Sequence, residues 1–146
     1  MEMHPITIDH RIFNFREFGY EVHPLNQFPI DRRLGTVRYR VVAQTLTSPH
    51  KLCESFPIEH EGFIPANPVH LAAFSKIGFH NHGYMFAIGE ACQLRKGFLV
   101  GELRPGGQAG DAYLPSWVAD YADPKCKMNS DGFPVGTKIL LVAPVT

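Results

Sequence analysis

His80 and His82 form the only closely spaced histidine pair in the chain, so they are its first candidates for metal chemistry. On an extended strand, residues i and i+2 share one face, which would aim both imidazoles at one ion. Glu59 and His60 lie in the preceding loop and are the further ligands best able to reach this pair, and carboxylate and imidazole groups both bind zinc. The pattern leaves the cofactor undecided; a divalent metal such as zinc is the ion that these residues would hold, and a small metal-dependent hydrolase centred on His80 and His82 is then the first alternative function. Two polar histidines that open a strand and bond to loop carbonyls would give the same pattern.

Arg38 and Arg40 are the candidates for an anion site. They alternate with Val37, Tyr39 and Val41, as expected for a half-buried antiparallel strand. Guanidinium groups bind phosphate and carboxylate in a bidentate manner. A pocket for an anionic small ligand or a nucleotide is therefore a second alternative function, and an exposed polar strand face is the purely structural alternative.

Trp117, Tyr113 and Phe133 are the candidates for contact with a protein partner. They lie within the segments 104–117 and 124–135, which are predicted to form part of a partner surface. Aromatic residues are enriched among those that dominate the binding energy of protein interfaces. No serine lies in a G-x-S-x-G setting, and the sequence does not decide whether the chain is an enzyme. We expect a small binding module that acts by protein–protein contact, as an inhibitor or an adaptor does.

The composition predicts a single globular domain over residues 1–146. Hydrophobic residues make up 45% of the chain and charged residues 19%, which excludes a largely disordered protein. A formal net charge of zero disfavours general nucleic-acid binding, which normally needs a basic excess. Cys53, Cys92 and Cys126 are odd in number and far apart, which favours reduced thiols and a cytoplasmic location. No apolar run approaches the length of about 18 residues that a membrane span needs.

The clearest local element is a helix predicted over about residues 68–77. Asn67 is a suitable N-cap, and Pro68 fits the first helical position, where a missing N–H costs nothing. Apolar residues then recur at three- and four-residue spacing, which predicts one buried face. Gly78 is suited to end the helix with a positive φ.

Strands are predicted on both sides of this helix. Alternating or continuous apolar residues indicate extended segments within 5–24 and at 36–44, 79–93, 98–103 and 136–143, whereas 115–121 favours one or two helical turns. Gly89 is expected to mark a bulge or a bend. The run 136–143 is almost wholly apolar and is expected at the centre of the sheet. The predicted fold class is α+β and β-rich: a twisted antiparallel sheet, or a small barrel, with one main helix packed on it.

Overall fold

The computed structural model describes residues 2–15, 30–49, 57–76, 85–94, 97–104, 114–120 and 135–145. Within these residues the chain forms seven strands, one α-helix and a short 3-10 helix at Arg32–Leu34. In chain order they are β1 (Glu2–Asp9), β2 (Thr36–Thr45), β3 (Ile64–Pro65), α1 (Pro68–Ser75), β4 (Met85–Leu94), β5 (Gly97–Arg104), β6 (Leu114–Asp120) and β7 (Lys138–Pro144). The strand-rich α+β prediction is confirmed.

The strands form one sheet in the order β1-β2-β7-β4-β5-β6, and β3 also pairs with β7. Neighbouring strands are antiparallel except β4 and β7, which run parallel where they pair. β7 lies inside the sheet, as its apolar run predicted, and residues 139–143 are all buried. Among the described strands β1 does not pair with β6, so the sheet is open and does not close into a barrel.

Helix α1 begins where the sequence predicted, at Pro68 after the Asn67 cap. The Asn67 Oδ1 accepts from the amide of His70 at 3.0 Å, and the His70 Nδ1 accepts from the amide of Asn67 at 3.1 Å. This reciprocal pair satisfies two amide donors at the helix start, with histidine in the place that Glu or Gln usually takes. Lys76 is the C-cap, and Gly78 lies outside the described residues.

The helix is buried nearly all round and not on one face alone. Val69, Leu71 and Phe74 are each at most 2% exposed. The helix contacts β1, β4, β5 and β6, so both edge strands of the sheet reach it. The sheet therefore curls around the helix, as a twisted sheet can. The expectation of a single buried face is wrong because helical spacing cannot show that the sheet curls around the helix.

Two apolar clusters lie on opposite faces of the sheet, because alternate residues of β2, β4 and β7 belong to each. The helix side includes Tyr39, Val41, Met85, Ala87, Leu140 and Val142. The other side includes Val42, Leu46, Ile139, Leu141 and Ala143, together with Phe63 from the segment before β3. The alternation predicted for β2 is present, but both of its faces are partly buried.

Strand β4 passes close to the segment that joins β3 to α1 at Gly89. The Gly89 amide donates to the Ala66 carbonyl at 2.8 Å, and a Cβ on Gly89 would collide with the Pro65 carbonyl oxygen. The pairing of β4 with β5 shifts register between Ala87 and Cys92, so Gly89 lies within the predicted irregularity. Glycine is required here because two backbones approach too closely for a side chain.

The helical turns predicted over 115–121 are wrong. Residues 115–120 belong to strand β6, whose partners in β5 run from Arg104 opposite Leu114 to Phe98 opposite Asp120, and Tyr121 lies outside the described residues. Backbone pairing with β5 decides the conformation of this segment. Pro115 is tolerated because β6 lies at the edge of the sheet.

The extended segment predicted within 5–24 is only partly correct. Strand β1 ends at Asp9, where the amides of Ile12 and Phe13 both donate to the Asp9 carbonyl, at 3.2 and 3.1 Å. These bonds turn the chain, so the aromatic and β-branched residues at 12–15 are not a strand. Residues 16–29 lie outside the described residues.

Candidate functional site

Two short turns, at residues 9–13 and 31–35, lie against each other because Arg32 bridges them. The Arg32 Nη1 donates to the carbonyls of His10, Arg11 and Phe13, at 3.0, 3.2 and 2.9 Å. The amide and the Nδ1 of His10 both donate to the Gly35 carbonyl at 2.8 Å. The Arg32 guanidinium and the Gly35 carbonyl thus join two segments that are about 20 residues apart in the chain.

Each turn contains an aspartate paired with the arginine two residues later. Asp9 accepts from the Arg11 guanidinium through both oxygens at 2.9 Å, and Asp31 accepts from Arg33 at 3.0 and 3.3 Å. Each aspartate also accepts from the backbone amide of its arginine at 3.1 Å. The guanidinium hydrogen bond holds the pKa of Asp9 and of Asp31 below the ordinary aspartate value. Both pairs are solvent-exposed and add little to stability, but they fix the shape of the turns.

Each turn also exposes a large aliphatic side chain. Ile12 is 73% exposed and Leu34 is 51% exposed. We name the group of Ile12, Leu34, Arg11 and Arg33 the Arg32 surface, after the residue that joins the two turns. It combines apolar side chains with fixed charges on a backbone that hydrogen bonds hold in place.

A cleft of about 420 Å³ lies beside this surface, between β1 and the C-terminal end of α1. Its lining residues are His4, Pro5, Ile6, Thr7, Ile8, Asp9, Ile12, Phe13, Ala73 and Lys76. The walls are largely apolar, and Lys76 is a cation at the end of the helix. A volume of this size falls within the range of about 300–1,000 Å³ that is usual for small-molecule sites.

The β1 edge next to the cleft is poorly suited to pairing with another strand. Pro5 has no amide hydrogen, and its carbonyl is bonded to the His4 Nδ1 at 2.7 Å. The Asp9 carbonyl is occupied by the turn that follows, and the register with β2 shifts between Met3 and Ile6. Proline and bulges are devices that protect sheet edges from strand addition. A ligand at this edge would therefore contact side chains.

A buried polar cluster of His10, Tyr39 and His70 lies behind the turns, and these residues are 3%, 4% and 5% exposed. Because the Gly35 carbonyl can only accept, the His10 Nδ1 carries the proton and its Nε2 accepts from the Tyr39 hydroxyl at 3.2 Å. The Tyr39 and His70 rings meet edge to face, with centroids 4.6 Å apart. Burial, and then the neighbouring His10, lower the pKa of His70 to about 3, so its imidazole stays neutral. None of the three lines the cleft, so the cluster stabilises the fold.

The predicted metal ligands fall in two places. His80 and His82 lie outside the described residues, so the prediction for them is untested. Glu59 is exposed, and its amide donates to the Gln44 Oε1 at 3.0 Å. The His60 and Phe63 rings meet edge to face with centroids 5.9 Å apart, and the buried His60 Nδ1 has no hydrogen-bond partner among the described residues. Within the described ranges no three His, Cys, Asp or Glu side chains are grouped as a metal site would need.

The two candidate anion-binding arginines have different environments. The Arg40 guanidinium forms an ion pair with Glu2 and lies over the Phe63 ring, 5.1 Å from its centroid. Arg38 is exposed, and its carbonyl accepts from the Val145 amide at 2.8 Å. An anionic ligand at Arg40 would have to compete with Glu2, and the ligand prediction itself is untested.

The predicted partner-binding aromatics are only partly described. Trp117 lies in β6, at a sheet edge and opposite Gly101 of β5. Tyr113 and Phe133 lie outside the described residues. Partner contact by these three residues stays a prediction.

Sequence reasoning missed the Arg32 surface and the cleft. Both depend on contacts between segments far apart in the chain, which periodicity does not show. The repeated Asp-x-Arg at residues 9–11 and 31–33 is the one local signal for the two turns, because an aspartate can accept from an amide two residues on.

Comparison of the chain with protein-family models, with curated proteins and with solved structures found no match. In the part of the chain that the structure describes, no helix is long and apolar enough to cross a membrane. Function must therefore be inferred from the side chains themselves.

Proposed function

We propose that this protein is a binding module that contacts a partner protein through the Arg32 surface, as an inhibitor or an adaptor does. The observation that carries the proposal is Ile12, which is 73% exposed on a turn that Arg32 fixes with three hydrogen bonds. Large aliphatic side chains exposed singly are common, but here Leu34 is exposed on the adjoining turn. Grouped exposed apolar side chains with a polar rim are typical of interaction sites.

The turns are suited to binding because they are already ordered. A partner that binds a mobile loop must offset the entropy of ordering it, whereas a preformed turn avoids most of that cost. Arg11 and Arg33 are held by their aspartates, so they present charge in fixed positions. Because the β1 edge is protected, we expect the partner to contact side chains and not to extend the sheet.

The test is affinity capture from an extract of the source cells with four immobilised proteins: wild type, Ile12→Asp, Leu34→Asp and the control Ile64→Asp. Ile64 is 52% exposed but lies on β3, outside the Arg32 surface. A residue that dominates binding costs at least about 2 kcal/mol when lost, or roughly 30-fold in affinity. We expect one protein to be recovered with wild type and with Ile64→Asp, and to be lost with both other variants. If no protein shows that pattern, the Arg32 surface is not the binding site.

A metal-dependent hydrolase is the second candidate, and the buried His60 Nδ1 favours it because no described residue hydrogen-bonds to it. A buried nitrogen without a partner costs about 1–3 kcal/mol, which a bound ion would offset. Glu59, His80 and His82 would be its fellow ligands. Metal analysis of protein purified without chelator should then give about one ion per chain, and His60→Ala or the double change His80→Ala, His82→Ala should remove it. Protein that contains no stoichiometric metal would exclude this function, whatever the result for the Arg32 surface.

A further inference from the structure

We propose that the partner protein presents an acidic side chain to the Arg32 guanidinium, which joins the two exposed turns. This rests on the proposed function, and it names the chemistry that the Arg32 surface would recognise. The carboxylate would bind the edge of the guanidinium formed by Nε and Nη2, and apolar side chains beside it would contact Ile12 and Leu34.

Only one nitrogen of the Arg32 guanidinium holds the turns together. Nη1 donates to the carbonyls of His10, Arg11 and Phe13, at 3.0, 3.2 and 2.9 Å, whereas Nε and Nη2 donate to no residue that the structure describes. A guanidinium is planar and trigonal, so the edge formed by Nε and Nη2 faces away from the carbonyls that Nη1 contacts. Arg32 is exposed to solvent, and this edge keeps three of its five N–H donors for water or a ligand.

The neighbouring arginines show which ligand this edge takes. Arg11 donates to Asp9 from Nε and Nη2, both at 2.9 Å, and Arg33 donates to Asp31 from the same two atoms at 3.0 and 3.3 Å. In each pair the two oxygens of one carboxylate meet two parallel N–H bonds, which is the bidentate geometry of strong arginine–carboxylate contacts. The same edge of Arg32 has no carboxylate from the described part of the chain, so an acidic side chain of the partner would complete a third pair.

The positive charge of the two turns is likewise left over at Arg32. Residues 9–13 and 31–35 contain three arginines and two aspartates, so one positive charge remains when the Asp–Arg pairs cancel. The guanidinium hydrogen bond from Arg11 is the first cause that lowers the pKa of Asp9, that from Arg33 does the same for Asp31, and Arg32 contributes to neither. An excess charge that no described carboxylate offsets attracts a partner of the opposite sign.

The apolar side chains near this charge favour a protein segment over a free anion. Ile12 is 73% exposed and Leu34 is 51% exposed, one on each of the turns that Arg32 joins. An ion pair that stays in water contributes little to affinity, whereas apolar contacts around it exclude water and strengthen the attraction. An acidic side chain with apolar neighbours therefore matches the surface better than either group alone.

The experiment is an NMR titration with two capped peptides that differ only in a carboxylate, acetyl-Leu-Asp-Leu-amide and acetyl-Leu-Asn-Leu-amide. The Asp peptide should shift the Arg32 Nε–H signal and the methyl signals of Ile12 and Leu34 saturably. It should bind about fivefold more tightly than the Asn peptide, the upper range for an exposed ion pair. The Nε–H signals of Arg11 and Arg33 should move far less, because their aspartates already occupy these donors. Sodium acetate should bind more weakly than the Asp peptide, since it lacks the apolar side chains.

Two variants separate recognition of the carboxylate from the shape of the turns. Arg32→Gln and the control Arg38→Gln each remove one positive charge, and Arg38 is exposed on β2, outside the Arg32 surface. Because Arg32→Gln also breaks the contacts between the turns, it should weaken both peptides. The ratio of the two affinities is therefore the deciding quantity: it should fall to about one in Arg32→Gln and stay at about five in Arg38→Gln. If Arg32→Gln does not fold, the Arg32 Nε–H signal of the wild type decides.

Equal affinity of the wild-type protein for the two peptides would overturn the proposal. So would an Arg32 Nε–H signal that stays unmoved at millimolar Asp peptide, or acetate that binds as tightly as the peptide, which would leave only a bare anion site. Capture that depends on Ile12 and Leu34 can succeed without any preference for the Asp peptide, so the carboxylate can fail while the proposed function stands. A preference for the Asp peptide without such capture would instead overturn the proposed function and leave Arg32 as a carboxylate site.

Discussion

Replacement of His70 by glutamine should remove a pH dependence of stability that the helix cap creates. In the folded protein the His70 Nδ1 must stay unprotonated, because it accepts from the Asn67 amide at 3.1 Å. The neighbouring His10 and the positive end of the α1 dipole both disfavour a proton on this ring. Burial, with His10 as the second cause, therefore lowers the His70 pKa from 6.5 to about 3.

The sign follows from proton linkage. Between pH 3 and 6.5 the unfolded chain binds a proton at His70 and the folded chain does not, so acid favours unfolding. The contribution of His70 to stability is complete above about pH 7 and falls as the pH drops below 6.5, the unfolded pKa. With 1.36 kcal/mol per pKa unit, the loss between pH 8 and pH 5 is about 2 kcal/mol.

Glutamine is the matched replacement because it can accept from the cap amide at the same helix position but does not titrate. Urea unfolding at pH 8, 7, 6 and 5 should show a free energy of unfolding that falls by about 2 kcal/mol less in His70→Gln than in wild type. His4→Gln, which removes an exposed imidazole outside the cap, serves as the control and should keep the wild-type pH dependence. Parallel pH curves for wild type and His70→Gln would refute the reasoning, because His70 would then titrate alike in the folded and unfolded chains.

Three further predictions concern other contacts. Tyr39→Phe should lower the free energy of unfolding by about 1–3 kcal/mol in denaturant titrations, because the buried His10 Nε2 loses its donor; an unchanged midpoint would contradict that bond. Gly89→Ala should cost about 3 kcal/mol, since its Cβ would collide with the Pro65 carbonyl oxygen and neither backbone can move freely. Full stability of that variant would mean that the backbones are farther apart. Trp117→Ala should weaken capture of a partner and leave the melting temperature nearly unchanged if Trp117 is a binding residue; a large fall in melting temperature would instead mean that it fills the core.

The elements that could be predicted are those whose signals are local. Asn67 and Pro68 mark the start of α1 because a cap and a proline act within one turn. Strand β2 has a two-residue period, and strand β7 has a continuous apolar run. Such patterns are local signals because they reflect which faces of a strand are buried. The spacing Asn67-x-x-His70 was also a readable signal, since it is a capping box with histidine as the second acceptor.

The elements that could not be predicted depend on distant partners. Strand β6 has no clear period of its own and is extended because β5 pairs with it. The contact between Arg32 and the 10–13 carbonyls spans about 20 residues, so neither turn reveals it alone. The cleft arises only when β1 is placed against the end of α1, which no local pattern fixes. The ion pair of Arg40 with Glu2 likewise joins distant residues and is not visible in the sequence, and the ligand role predicted for Arg40 from its chemistry stays a prediction.

The Arg32 surface and the helix cap are parts of one connected structure. Gly35, at the end of one turn, accepts twice from His10, and the other ring nitrogen of His10 accepts from the Tyr39 hydroxyl. The Tyr39 ring then meets the His70 ring, and His70 holds the first turn of α1. Every link except the ring contact is a hydrogen bond. Breaking any of these bonds would leave a buried polar atom unpaired, and this energetic penalty keeps the connected residues rigid. The exposed turns are thus anchored in the core through the imidazoles of His10 and His70, and this anchoring is the physical basis for treating Ile12 and Leu34 as preformed contacts.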